Sequence, residues 1–156
     1  MRLQGDVAIR ASIKRVWDFM TDLNQISQCA PGVEKVEEIE PLKKYRGVIS
    51  VGLGGVKARF SGEVEVLELD EPHYAKLKAH GSASGSVADA VSELHLSKAS
   101  EDATDVHWTA DVNVAGQLAG LAARLMGPVS QKLAAQFYDE IRKKIETENV
   151  TAPPVD

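Results

Sequence analysis

One cysteine, Cys29, and four histidines, His73, His80, His95 and His107, are the most reactive side chains in the sequence. Their spacing argues against catalysis. No pair of histidines stands in an HExxH arrangement and Cys29 has no CxxC companion, so neither common short metal motif is present. Alternation sets His80 with Lys76 and Lys78, His107 with Asp105 and Asp111, and His95 between Leu94 and Leu96, all on a wet face. A nucleophilic Cys29 would need a base and an oxyanion donor. The residues around it supply no histidine, and a small packed thiol is the simpler reading. Gly52, Gly54 and Gly55 lack the third glycine of GxGxxG and precede a strand rather than a helix, which makes them a hairpin turn and not a phosphate cradle.

The alternating strands carry a face that is more telling. On it only Tyr45, Ser92 and Trp108 have a polar handle, and no Asp, Glu, His or Lys recurs. General acid–base chemistry needs such a group, whereas passive binding needs an apolar pocket with a few placed polar atoms. The residues expected to meet a ligand are therefore Tyr45, Val51, Phe60, Trp108 and Val112 on strands, with Leu118, Leu121, Ala122 and Leu125 on the terminal helix. No catalytic and no metal-ligating residue is expected. Arg124, the one charge in the apolar half of that helix, reads as pointing outward; the alternative is an entrance residue meeting an anionic or carbonyl group.

These residues need elements to hold them. Gly116 to Ile145 has apolar residues at i, i+3, i+4, i+7 spacing, Leu118, Leu121, Leu125, Phe137 and Ile141 among them, and predicts a helix of about 45 Å. Pro128 divides it into a small-residue half and an amphipathic half with a charged outer face, and predicts a kink or a fresh first turn. The second half is expected to seal one end of the fold against Val16, Trp17 and Met20, the first half to roof a ligand space. Leu3, Val7 and Ile9 alternate as a first strand, and Ser12 and Asp22 are fit to cap two short helices, Ile13 to Met20 and Leu23 to Gln28. From Val33 to Val114, alternating runs are separated by turns at Pro41–Lys43, Gly52–Gly55, Asp70–Pro72, Gly81–Gly85 and Glu101–Ala103. That is an antiparallel meander of about seven strands with one wet face, and only the long helix is large enough to cover the other. The class is α+β.

At 156 residues the chain has the length of one domain. We expect residues 1–146 to form it and 147–156, with its TAPPVD end, to be a disordered tail. A net charge of −5 without a basic, aromatic-laced stripe argues against nucleic acid. A lone cysteine and the absence of an apolar leader point to a reducing, cytoplasmic setting, and no run approaches the ~18 apolar residues of a membrane span.

Three blocks carry a resemblance: VWDFMTDLNQISQCAPGVEKVEE (Val16 to Glu38), YRGVISVGLGGVKARFSGEVEVLELDEP (Tyr45 to Pro72) and GQLAGLAARLMGPVSQKLAAQFYDEI (Gly116 to Ile141). In this order they resemble the carbon monoxide dehydrogenase CoxG family of the START/Bet v 1-like (SRPBCC) superfamily. The resemblance implies a helix-grip fold, in which a curved sheet wraps a long C-terminal helix. It also implies an apolar cavity, where small strand residues (Ala58, Gly62, Ala75, Ala79, Ala110) face small helix residues. A glycine loop such as Gly52–Gly55 can sit at the cavity mouth in that fold. Members are regarded as accessory proteins that link a molybdenum CO dehydrogenase-type hydroxylase to the membrane, binding an isoprenoid quinone. A menaquinone or ubiquinone ligand, a hydroxylase partner and peripheral contact at the inner face of the cytoplasmic membrane are the corresponding expectations. Some members carry a long C-terminal extension thought to reach the membrane, and this sequence ends at Asp156 without one. Polyketide cyclases and aromatases of the same superfamily supply the enzymatic alternative, with Tyr45, Ser92 and Arg124 as the groups that could serve. A ligand-free structural adaptor is the third reading.

Overall fold

A computed structural model describes residues 1–53 and 55–151. Strand β1 (Arg2–Ile9) leads into helices α1 (Ile13–Met20) and α2 (Leu23–Cys29). Six further strands follow, β2 (Val33–Glu40), β3 (Lys44–Leu53), β4 (Val56–Asp70), β5 (Tyr74–Ala83), β6 (Ser86–Ser100) and β7 (Ala103–Gly116), and helix α3 (Ala119–Thr151) completes the described chain. The strands form one antiparallel sheet in the order β1-β7-β6-β5-β4-β3-β2. The expected meander is present, with β1 returning to pair with β7.

Both short helices are capped as expected. The Ser12 hydroxyl accepts from the Arg15 N–H at 3.3 Å, and the Asp22 carboxylate accepts from the Asn24 N–H at 3.0 Å. Helix α1 then buries Val16, Trp17 and Phe19. Helix α3 continues across Pro128 as a single element. Its position follows from two bonds to β1 and its flank: the Gln131 amide donates to the Gln4 carbonyl at 3.2 Å, and Glu146 accepts from the Arg10 N–H at 3.0 Å. The helix therefore runs alongside β1 in the same direction, while its first turns pack on β3 and β4. A flat sheet cannot present β1 and β3 to one helix, so this sheet must curl.

The curl has a local cause. Gly47, Gly62 and Gly81 lie in register across β3, β4 and β5. A Cβ on Gly62 would fall 2.0 Å from the His80 carbonyl oxygen, and one on Gly47 would fall 2.8 Å from that of Lys35. Neighbouring backbones approach here more closely than any side chain permits, the role of glycine at tight bends in strands.

Two apolar clusters flank the hollow of the grip. The larger joins Val16, Trp17 and Phe19 to Ile9, Leu96, Val106, Ile141 and Ile145, with Met20 and Phe137 packed against it. This is the seal expected of the second half of α3. The smaller joins Ala58, Phe60 and Ala122, with Ile49, Val51, Val112, Leu118 and Leu121 around them.

Three boundaries differ from the sequence reading. Strand β5 reaches Ala83, so Gly81 lies inside a strand and not in a turn. Helix α3 begins after Gly116, whose φ of +95° and close approach to the Gly85 carbonyl make it a terminator. At its other end α3 extends to Thr151, where a tail from residue 147 was expected, and Glu148 forms an ion pair with Arg15. Residues 152–156 of that expected tail lie outside the described residues.

Candidate functional site

Between the two clusters lies a cavity of about 490 Å³, within the ~300–1,000 Å³ usual for ligand pockets. The concave face of β2 to β6 forms one wall, with Tyr45, Ile49, Phe60, Val64, Leu77, Ala79 and Ala90 on it. Trp17, Met20, Ile26 and Ala30 from α1, α2 and the turn after them, and Phe137 from α3, form the other. The three register-aligned glycines also line it, so the feature that bends the sheet also leaves its middle without side chains.

The surface facing this space is almost entirely carbon. Charged residues border it, but Arg46 pairs with Glu63 at 3.2 Å and His80 with Asp89 at 2.6 Å on the wet face. Thr21 is committed to the Trp17 carbonyl at 2.9 Å. Tyr45 is different. It is half-buried on the cavity wall. Burial holds its phenol above the usual value, Glu38 adds to the shift and the Leu42 backbone N–H opposes it. The phenol stays protonated at neutral pH and is available to donate to a ligand oxygen.

Of the nine residues singled out from sequence, the structure sets three on the cavity wall: Tyr45, Phe60 and Val112. Val51, Leu118, Leu121 and Ala122 are gathered with Phe60 and Val112 into the smaller cluster, which closes one end of the grip instead of roofing the space. Leu125 is half-buried and is not among the lining residues. Trp108 faces inward but stacks on Tyr138 with ring centroids 5.2 Å apart, over the position where a Gly5 side chain would stand. Burial there drives the Tyr138 phenol far above its usual pKa. Trp108 thus joins β7 to α3 and does not meet the cavity. Ser92 donates to the Thr109 carbonyl at 2.9 Å, and Arg124 is exposed.

Sequence reasoning missed the α1–α2 wall, Leu42 and Leu69. The amphipathic pattern of the short helices says that they bury a face, but not that part of this face borders a void. Leu69 is reached only through an irregularity in β4 that a strict period of two does not reveal.

A shallower hollow lies between β1 and α3, bordered by Asp6, Trp108, Gln131 and Tyr138. Among the described residues no group of three or more His, Cys, Asp or Glu side chains is arranged to hold a metal ion. None of their helices is long and apolar enough to cross a membrane.

The family model for CoxG, a component of carbon monoxide dehydrogenase, matches residues 5–146. The chain belongs to this family. Its fold also recurs in solved structures. A conserved protein from Geobacillus kaustophilus is 24% identical, with a TM-score of 0.86 over 95% of this chain and 97% of that one. An aromatase/cyclase from a Streptomyces species is 17% identical, with a TM-score of 0.77 over 99% of each chain. A START superfamily protein from Mycobacterium smegmatis is 16% identical, with a TM-score of 0.63 over 96% of this chain and 99% of that one. At these identities the likeness establishes the helix-grip fold. No curated protein sequence matches the chain. Membership of the CoxG family and the fold agree with ligand binding or an accessory role.

Proposed function

We propose that this CoxG family member is a non-catalytic carrier of a small lipophilic molecule, an isoprenoid quinone of the menaquinone or ubiquinone type. The observation that carries this reading is the carbon-lined cavity with one polar tip, the Tyr45 hydroxyl. A quinone is a flat apolar ring with carbonyl acceptors, and a single donor in an apolar pocket suits it. The family name supports a setting beside a CO dehydrogenase-type molybdenum hydroxylase. In that setting the protein would serve as the accessory that hands the enzyme's electron acceptor to and from the inner face of the cytoplasmic membrane.

The enzymatic alternative draws support from the structural likeness to an aromatase/cyclase. Acid–base turnover needs an ionisable group in the pocket near its working pH. Tyr45, held above its usual pKa, is poorly placed to act as a base near neutral pH. Conversion of a polyketide-like substrate that disappears in Tyr45→Phe would favour that alternative.

The carrier reading is tested by native mass spectrometry of the purified protein with and without added quinone. Ala79→Phe adds a ring to the middle of the cavity wall and should abolish uptake with the fold intact. Undiminished quinone binding by a folded Ala79→Phe protein would overturn the assignment of this cavity.

A further inference from the structure

The exit from the cavity can be read from which of its walls are wet. Among its described apolar lining residues, only Leu42 and Leu69 are exposed, at 53% and 41%. Each is aimed there by a local irregularity. Leu42, in the β2–β3 turn, has a φ of +60°, the left-handed region that leucine rarely occupies and that persists only where its surroundings impose it. The turn is tied to β4 by the Val66 N–H donating to the Lys43 carbonyl at 2.7 Å. Leu69 follows a register shift between Val66 and Glu68. Without that bulge, Glu68 would continue the inward series of Val64 and Val66; with it, Glu68 is set opposite Lys76, and Leu69 opposite the buried Ala75.

We propose that Leu42 and Leu69 form the portal of the cavity, and that its ligand is an amphiphile with a hydrocarbon chain longer than the cavity, whose protruding part lies across these two leucines. The inference rests on the carrier reading above and adds the route and the ligand's shape. A ring with a short chain fills about 490 Å³, whereas a long polyprenyl or acyl chain exceeds it. Uncovered leucines continuous with an apolar interior provide the surface on which the remainder can shed water.

The test compares 2-methyl-1,4-naphthoquinone with and without a tetraprenyl chain, followed by quenching of tryptophan fluorescence, since Trp17 lines the cavity and Trp108 does not. Wild type should hold the chained quinone at least about tenfold more tightly than the bare ring. Leu42→Asn, which removes the hydrocarbon while tolerating the left-handed backbone, and Leu69→Ser should each erase most of that difference and leave the bare ring's affinity unchanged. Both sites are exposed, and a thermal melt monitors the fold of each variant. Equal affinity of wild type for the two quinones, or equal weakening of both by the variants, would overturn the portal while leaving the carrier intact. Failure of wild type to bind either quinone would remove the carrier reading, and the portal with it.

Discussion

At the scale of single residues, the glycines separate into two kinds that composition does not distinguish. Gly62 stands where a Cβ would collide with the His80 backbone, whereas nothing lies within 4 Å of a Cβ on Gly52. Gly62→Ala should therefore destabilise the fold by about 1–3 kcal/mol or prevent folding, because the obstacle is backbone and cannot rotate away. Gly52→Ala should change stability by less than ~0.5 kcal/mol. Urea midpoints of the two variants give the comparison, and equal midpoints would remove the close-approach argument. Cys29 also resolves at this scale. It is buried with its thiol donating to the Gln25 carbonyl, and burial raises its pKa, with Glu140 and Glu148 adding and Lys144 opposing. A thiolate is disfavoured there, and alkylation of the native protein at pH 7 should be slow and accelerate sharply on denaturation.

Helix α3 shows how one element serves two ends of the molecule. Ile141 is fully buried in the larger cluster, against α1 and β7. Ile141→Ala should cost about 2–5 kcal/mol, against less than ~0.5 kcal/mol for exposed Arg124→Ala, read as shifts in the thermal melt. The helix is also fastened electrostatically. Glu146 accepts the Arg10 backbone N–H and pairs with Arg10 and Arg142, and these interactions hold its carboxyl below the ordinary 4.5. A depressed folded value favours the native state fully above pH 4.5, and the gain is lost as pH falls from 4.5 through the lower folded value. Glu146→Gln should lower Tm at pH 7 and narrow the difference from wild type on acidification through that window. An offset independent of pH would assign the effect to packing.

For the molecule as a whole, the decisive arrangement is a sheet curled far enough for β1 and β3 to reach the same helix, leaving space in between. Small residues do not by themselves create that space. Ala122 and Ala58 sit in a packed cluster, while Ala79 and Ala90 border the void. A cavity-filling change should therefore distinguish the two places. Ala90→Phe is expected to reduce lipophile uptake, measured by native mass spectrometry, at little cost in stability, because space is already present. Ala122→Phe should lower Tm by overpacking a filled site.

Strand periodicity, capping residues and the i, i+3, i+4, i+7 stripe determined the element order and the inward faces, because each is set by neighbours a few residues away. Three of the lining residues, Tyr45, Phe60 and Val112, followed from the inward faces alone. The cavity's location was decided only in three dimensions. Whether an inward residue meets a partner or a void depends on how far the sheet curls and where α3 crosses it, and both depend on contacts between distant segments. Trp108 shows this: alternation sets it inside, and the passage of Tyr138 overhead makes it a joint between sheet and helix and not a wall of the site. Leu69 shows the converse, since one bulged position in β4 turns an outward leucine toward the opening.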